Sequence, residues 1–530
     1  MSDTILRKTG GIGRLGLMAG LALAVLGPRE GLAEVDLSTA TIADLQRAMD
    51  AGTLTSERLV RLYLARIEAY DKKGPALNTV LALNPRAVEI ARELDAERRE
   101  KGPRSPLHGI PILAKDVFDT VEMPTSGGFK PMATSQPVRD SFVIARLRKA
   151  GAIILAKLNQ SDWYGVAPTG GSTLGGQVLS PYNPRKFAGG SSSGTGAAMA
   201  AWFGTVGLGS DTGGSIVIPA TLNNNVGISS THGLVSRTGM MWSSPMQENG
   251  GPMGRSVYDC AAVLDAIAGF DPADLVTLQS LGKIPDQPYT SFVSAEGLVG
   301  ARIGVLREMF RSGEQHREGL ALMDQTLADL RAGGAVLVDP VRTGIHLIEA
   351  QVHAGSATFE RAFAIDHYLA GLGPNAPIRS VKEMIEKGGD IVKPTIIEAA
   401  KIESLDHHKE LFAAIRQKDM IRSALVGLMD QFRLDALVLP FRTMITEEIP
   451  VGTNRPPDIR NNLSSYTGLP TIIVPGGFFP SDGMPFGVQL LGRPFSEPTL
   501  IRVASGYEAR TRHRRAPAST PPLAGEILAY

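Results

Sequence analysis

Two short stretches rich in glycine and serine hold much of the chain's chemical potential. They are AGGSSSGTGAAMA, Ala188 to Ala200, and GSDTGGS, Gly209 to Ser215. Consecutive backbone N–H groups in such turns form a concavity suited to an anion, including the oxyanion of a carbonyl under attack. Serine hydroxyls beside that concavity suit nucleophilic attack, provided a base takes their proton. A flexible-linker reading fails on the flanks. AAMAAWF is a good helix, and VGLGSDTGGSIVIPA enters its turn as a strand would.

The identity of the base decides the chemistry. Gly190, Ser192 and Gly194 spell G-x-S-x-G, the nucleophile elbow of a Ser-His-acid hydrolase. That elbow follows an apolar strand, whereas PYNPRKFAGG precedes it here, and two prolines exclude a central strand. A triad also needs a late histidine. Only His513, within the basic run RTRHRR (Arg510–Arg515), and the His407-His408 pair come late enough, and both read as solvated. Lysine can replace histidine if burial lowers its proton affinity by roughly three pH units, about 4 kcal/mol. In HGIPILAKDVFDT, Lys115 closes an apolar run and would be desolvated. Taken alone, it could equally snorkel to water or pair with Asp116.

These residues need rigid elements beneath them. TSERLVRLYLARIEAY places Leu59, Leu62, Tyr63, Ile67 and Tyr70 on one helical face. NPRAVEIARELDAERREK predicts a helix with Asn84 as cap and Pro85 in its first turn. Short apolar runs at 152–156, 303–306, 436–440, 471–475 and 486–491 read as buried strands. Helices alternating with buried strands predict an α/β fold, a sheet covered on both faces. Strand signals lie in both halves, so one large domain over 34–515 is expected, with a surface excursion at 271–294 and a Pro-rich tail at 516–530. The single cysteine, Cys260, excludes an intrachain disulfide and reads as a small buried hydrophobe.

Composition narrows the partners. A 530-residue chain with 43% hydrophobic and 20% charged residues is globular, and a net charge of +1 gives no electrostatic basis for nucleic-acid binding. Arg7, Lys8 and Arg14 precede a charge-free run from Leu15 to Leu26, and Gly31-Leu32-Ala33 follows. That layout predicts a signal peptide over 1–33 cleaved after Ala33, hence a periplasmic or secreted protein; the alternative is a cytoplasmic protein with an N-terminal extension. The run is too short for a permanent membrane span.

The blocks GIPILAKD, AGGSSSGTGAA, GSDTGGSIVIPA, GPMGRSVYDCAAVLDAIAG and TGLPTIIVPGGF with DGMPFGVQLLGRPFSE resemble, in order and spacing, the signature blocks of the amidase signature family over approximately residues 38–512. The resemblance implies one mixed, twisted sheet covered by helices and a Ser–cis-Ser–Lys triad that cleaves amides through an acyl-enzyme. It puts the nucleophile at Ser215, the bridging serine at Ser191 and the base at Lys115. The backbone amides of Thr212, Gly213, Gly214 and Ser215 would form the oxyanion hole, with Asp211, Gly190 and Ser192 in support. It implies no metal or organic cofactor, a small amide or peptide amide substrate, and a monomer or homodimer. Within the family the chain leans to exported peptide amidases or aryl acylamidases. An amidotransferase A-type subunit working in a complex and a catalytically silent binding scaffold are the alternatives. The chain departs from the usual family pattern at Val217, where arginine is common, at Gly227–Thr231, and at Glu248-Asn249, where Asp-Thr is common. The acyl pocket is expected between Met123 and Ser180 and around 366–397, with Met123, Phe129, Trp163, Tyr164, Tyr466 and Thr467 as candidate lining.

Overall fold

A computed structural model describes residues 34–164, 170–373, 376–449 and 461–529. The predicted leader over 1–33 lies outside them. An eleven-stranded mixed sheet runs through the molecule in the order Val336–Val341, Arg302–Leu306, Ala436–Pro440, Pro485–Leu491, Thr471–Phe478, Val226–Ser229, Asn249–Gly254, Val206–Asp211, Pro111–Lys115, Ile153–Leu158 and Val80–Leu83. Each strand inferred from an apolar run is present, and both halves of the chain contribute to the one sheet. The runs are apolar on both faces because both faces are covered. Pro111–Lys115, Ile153–Leu158, Val206–Asp211 and Ala436–Pro440 are buried at every residue.

The expected helix around residue 60 spans Ser56–Tyr70 and is capped by the Thr55 side chain, which accepts from Arg58 N. It buries Leu59, Val60, Tyr63 and Ile67, and also Arg66, which periodicity leaves unassigned. The next helix runs Ala87–Lys101, two residues later than its predicted start. Asn84 turns the chain into it, its Oδ1 accepting from Arg86 N at 2.9 Å, while its own N–H bonds Leu155 O and its amide nitrogen bonds Ile154 O of the neighbouring strand.

The segment Ser193–Ala200 is a helix buried along its whole length, which explains its composition. A Cβ on Gly194 would lie 2.4 Å from Asn159 O, and one on Gly196 would lie 2.6 Å from the Asn223 side chain. Only small residues let the backbone pass there.

The expected C-terminal tail is part of the domain instead. Ile527–Ala529 pairs antiparallel with Glu34–Asp36. Glu526 forms a buried ion pair with Arg66 at 2.9 Å. The Arg66 guanidinium stacks 3.4 Å from the Trp202 ring centroid. It also donates to Ala201 O at 2.7 Å and to Thr520 O at 2.6 Å. The apolar Trp202 face and a carboxylate bury an arginine that sequence alone would place in solvent. The run Arg510–Arg515 is likewise not all solvated, since Arg514 donates to Ser38 O at 2.8 Å.

Candidate active site

Strands Pro111–Lys115 and Val206–Asp211 are parallel neighbours, with Ala114 opposite Leu208. Parallel pairing brings their C-terminal ends to the same edge, so Lys115 and Ser210 meet there. Lys115 Nζ lies 2.8 Å from Ser210 Oγ and 2.6 Å from Ser191 Oγ. Ser191 arrives from the turn before the buried helix, and the Gly190–Ser191 peptide is cis. Ser191 O accepts from Ser161 N at 3.0 Å, and Ser192 N donates to Ser215 O at 3.3 Å. The second bond links the two serine-rich turns directly.

Lys115 is fully buried. Burial lowers its pKa to about 7, against the opposing pull of the Glu248 and Asp211 charges. An amine in that range is uncharged in a substantial fraction of molecules at neutral pH and can accept a proton. Of the two alternatives for Lys115, the Asp116 pairing gives way because Asp116 begins the turn after the strand and its carboxylate is engaged by Ser126 and Lys157. Asp116 turns instead to Lys157 at 3.0 Å.

Asp211 organises the second turn. Its carboxylate accepts from Gly214 N at 2.6 Å, Ile216 N at 3.0 Å and Ser465 Oγ at 2.7 Å. Gly214 N also donates to Ser465 Oγ at 2.8 Å. This corrects the expected donor set, because the Gly214 amide is committed within the protein. Among the described residues, the amides of Thr212, Gly213 and Ser215 have no protein acceptor. Thr212 and Ser215 are nevertheless buried.

Ser192, centre of the G-x-S-x-G match, is an internal brace. Its Oγ donates to Ser210 O at 3.2 Å and accepts from Ser210 N at 3.3 Å. His513 sits beside Asp329 and Tyr507, and His408 caps the helix Lys409–Gln431 and packs on Phe359. Neither partners these serines.

Tyr466 faces the second turn. A Cβ on Gly213 would lie 3.8 Å from its Cε1. Its neighbour Thr467 is buried, its hydroxyl bonded to Leu463 O at 2.6 Å. Met123, Phe129 and Trp163 are buried, Trp163 edge-on to Tyr368. The Tyr164 side chain lies outside the described residues. Val217, where an arginine is common, is buried in an apolar cluster with Phe187, Phe441 and Ile473.

Sequence reasoning missed two neighbours of Lys115. Ser210 was visible one residue before Asp211 in the same signature block. Glu248 stood out only as a departure. It is fully buried, and its carboxylate accepts from the Thr212 hydroxyl and from Ser243 N at 3.3 Å. Burial raises its pKa, and the Lys115 charge opposes that rise.

The Amidase family model matches residues 58–501. The peptide amidase of Stenotrophomonas maltophilia superposes with a TM-score of 0.80 at 36% identity, covering 90% of this chain and 98% of that one. A probable amidase of Arabidopsis thaliana is 32% identical over 502 residues, 91% of this chain and 92% of its own length. The A subunit of the glutamyl-tRNA(Gln) amidotransferase of Cupriavidus metallidurans is 32% identical over 508 residues, 91% of this chain and 99% of its own.

Proposed function

This chain belongs to the amidase signature family, and on that premise we propose that it hydrolyses small amides, including C-terminal amides of peptides, with Ser215 as nucleophile, Ser191 as proton bridge and Lys115 as base. Neutral Lys115 takes the Ser191 proton as Ser191 takes that of Ser215. Ser215 Oγ then bonds to the carbonyl carbon. The resulting oxyanion lies against the amides of Thr212, Gly213 and Ser215, each worth about 3 kcal/mol in comparable sites. Collapse of the tetrahedral intermediate breaks the C–N bond. The leaving nitrogen receives its proton from Ser191, which is reprotonated by Lys115. Water attacks the acyl-enzyme by the same relay, releasing the acid and restoring Ser215.

The 2.6 Å contact between a buried, proton-poor Lys115 and Ser191 carries this reading. The choice of peptide amides rests on the similarity to the Stenotrophomonas enzyme. The leader-like residues 1–33 support a periplasmic or secreted location. The amidotransferase A-type relative favours a second reading, a protein that works only as part of a complex. The test is purified single-chain protein assayed on peptide amides, anilides, fatty amides and carbamates, alongside S215A. Ammonia release from peptide amides that S215A lacks, with Ser215 trapped by a fluorophosphonate, is the expected result. Activity that emerges only with added partner chains would favour the complex, and an unaffected S215A would reject Ser215. N-terminal sequencing of the expressed protein checks export, with Glu34 expected as the first residue.

A further inference from the structure

An oxyanion pocket made of backbone amides works only while each peptide plane keeps its aim. The Thr212–Gly213 peptide is trans, so its C=O and N–H point in opposite directions. Two glycines follow Thr212, and glycine offers little steric resistance to rotation of the planes beside it. The plane between Gly213 and Gly214 is held by Asp211 and Ser465, which both accept from Gly214 N. The plane between Thr212 and Gly213 is held by its carbonyl. Gln247 is buried, and its Nε2 donates to Thr212 O at 3.1 Å. Its Oε1 accepts from Ser356 N at 2.7 Å, Ser356 Oγ at 2.9 Å and Ala357 N at 2.9 Å, at the start of the helix Ala357–Ala370. The two backbone donors settle which end of the amide is oxygen, because a flipped amide would set N–H against N–H and oxygen against a carbonyl. Further along that helix, Glu360 accepts from Ser244 Oγ at 2.7 Å and Met246 N at 3.3 Å, so the segment carrying Gln247 is itself tied to it.

We propose that Gln247 is a positioning residue for the oxyanion: anchored on the start of the helix Ala357–Ala370, it holds the Thr212 carbonyl and thereby aims the Gly213 N–H of the same plane, in the opposite direction, at the substrate oxygen. That N–H has no protein acceptor among the described residues. The Thr212 side chain is secured as well, by donation to the Glu248 carboxylate, so consecutive residues fix one residue of the pocket from two sides. The inference rests on the reading of Ser215 as nucleophile and of this turn as its oxyanion hole. It gives the helix Ala357–Ala370 a task in the chemistry, as the abutment against which the hole is held.

Q247M keeps the bulk of the side chain and removes both arms. Its kcat should fall about 10- to 100-fold with KM nearly unchanged, because the Gly213 donor acts on charge that develops only in the transition state. A peptidyl trifluoromethyl ketone, whose serine adduct carries an oxyanion, should bind more weakly by the same factor. The corresponding peptidyl alcohol, which forms no adduct, should bind as it does to the parent. A merely structural role would lower the melting temperature and leave the ratio of these two affinities at its parent value. That result, like a parental kcat, would overturn the proposal. If Q247M does not fold, Q247E decides at pH 9, since an ionised carboxylate still accepts from Ser356 and Ala357 but has no proton for Thr212 O. A folded Q247E with a comparable loss of kcat supports the proposal, and a parental kcat rejects it. S215A and fluorophosphonate labelling of the parent separate the two levels. Turnover in S215A with Ser215 unlabelled sinks the nucleophile itself, whereas a labelled Ser215 with parental kcat in Q247M sinks only the role of Gln247.

Discussion

Lys115 and Lys157 sit on adjacent parallel strands, with Ala114 opposite Lys157, and both are fully buried. Their surroundings differ in one respect. Lys157 Nζ has the Asp116 carboxylate at 3.0 Å, Thr125 Oγ1 at 2.7 Å and Pro124 O at 3.2 Å. Those acceptors suit an ammonium and use all three of its protons. Lys115 has hydroxyls at contact distance, and the charges of Glu248 and Asp211 act on it through space. A buried lysine with a bonded carboxylate is suited to holding the fold, and one offered hydroxyls is suited to the proposed role of base.

Replacing Lys115 by Ala should break that contrast most visibly, lowering kcat/KM by about a thousandfold or more while the protein still melts cooperatively. K157A should do the reverse. It leaves Asp116 buried without its cation, which costs about 3–5 kcal/mol of stability in comparable sites, and the activity per folded molecule should persist. Differential scanning calorimetry with active-site titration reads both variants. Equal loss of activity in the two would erase the distinction.

The pH profile sharpens the same point. With Lys115 titrating at about 7, kcat/KM should rise with pH through that value and fall about tenfold per unit below it. Stability follows the same group. Its folded pKa lies below the ordinary lysine value, so between about pH 7 and pH 10 the unfolded chain binds more protons, and this site favours folding more as pH rises. K115M removes the term. The variant should be more stable than the parent at pH 7, with the gap narrowing by about 1.4 kcal/mol per unit toward pH 9. A constant gap would mean that Lys115 is charged in the fold.

The smallest effect belongs to Ser192. S192A removes the brace between the two turns and should cost about 1 kcal/mol of stability with catalysis nearly intact, in contrast to S191A, which should be as inactive as K115A.

The Lys115 half of this comparison was largely legible in sequence. Lys115 announces itself by ending an apolar run, the serines by glycine-rich turns that only a few conformations satisfy, and the five apolar runs by lengths that fit buried strands. What sequence hid was long-range pairing. Nothing near Asp116 in the chain marks Lys157 as its counter-ion, nothing near Arg66 points to Glu526, and Glu248 lies well over a hundred residues from Lys115. The tail packs into the domain for the same reason, since its partners, Arg66 and the strand Glu34–Asp36, lie far away in sequence.

The clasp at the chain ends has a consequence for how the molecule is made and handled. Arg66 grips Ala201 at the far end of the helix whose near end presents Ser191, and Arg66 is itself held by Glu526. The opening strand Glu34–Asp36 has Ile527–Ala529 as its mate. The wall behind the helix Ser193–Ala200 therefore closes only once Glu526 and Ile527–Ala529 are in place, and a deletion that removed them would be felt at Ser191, before the opposite end of that helix.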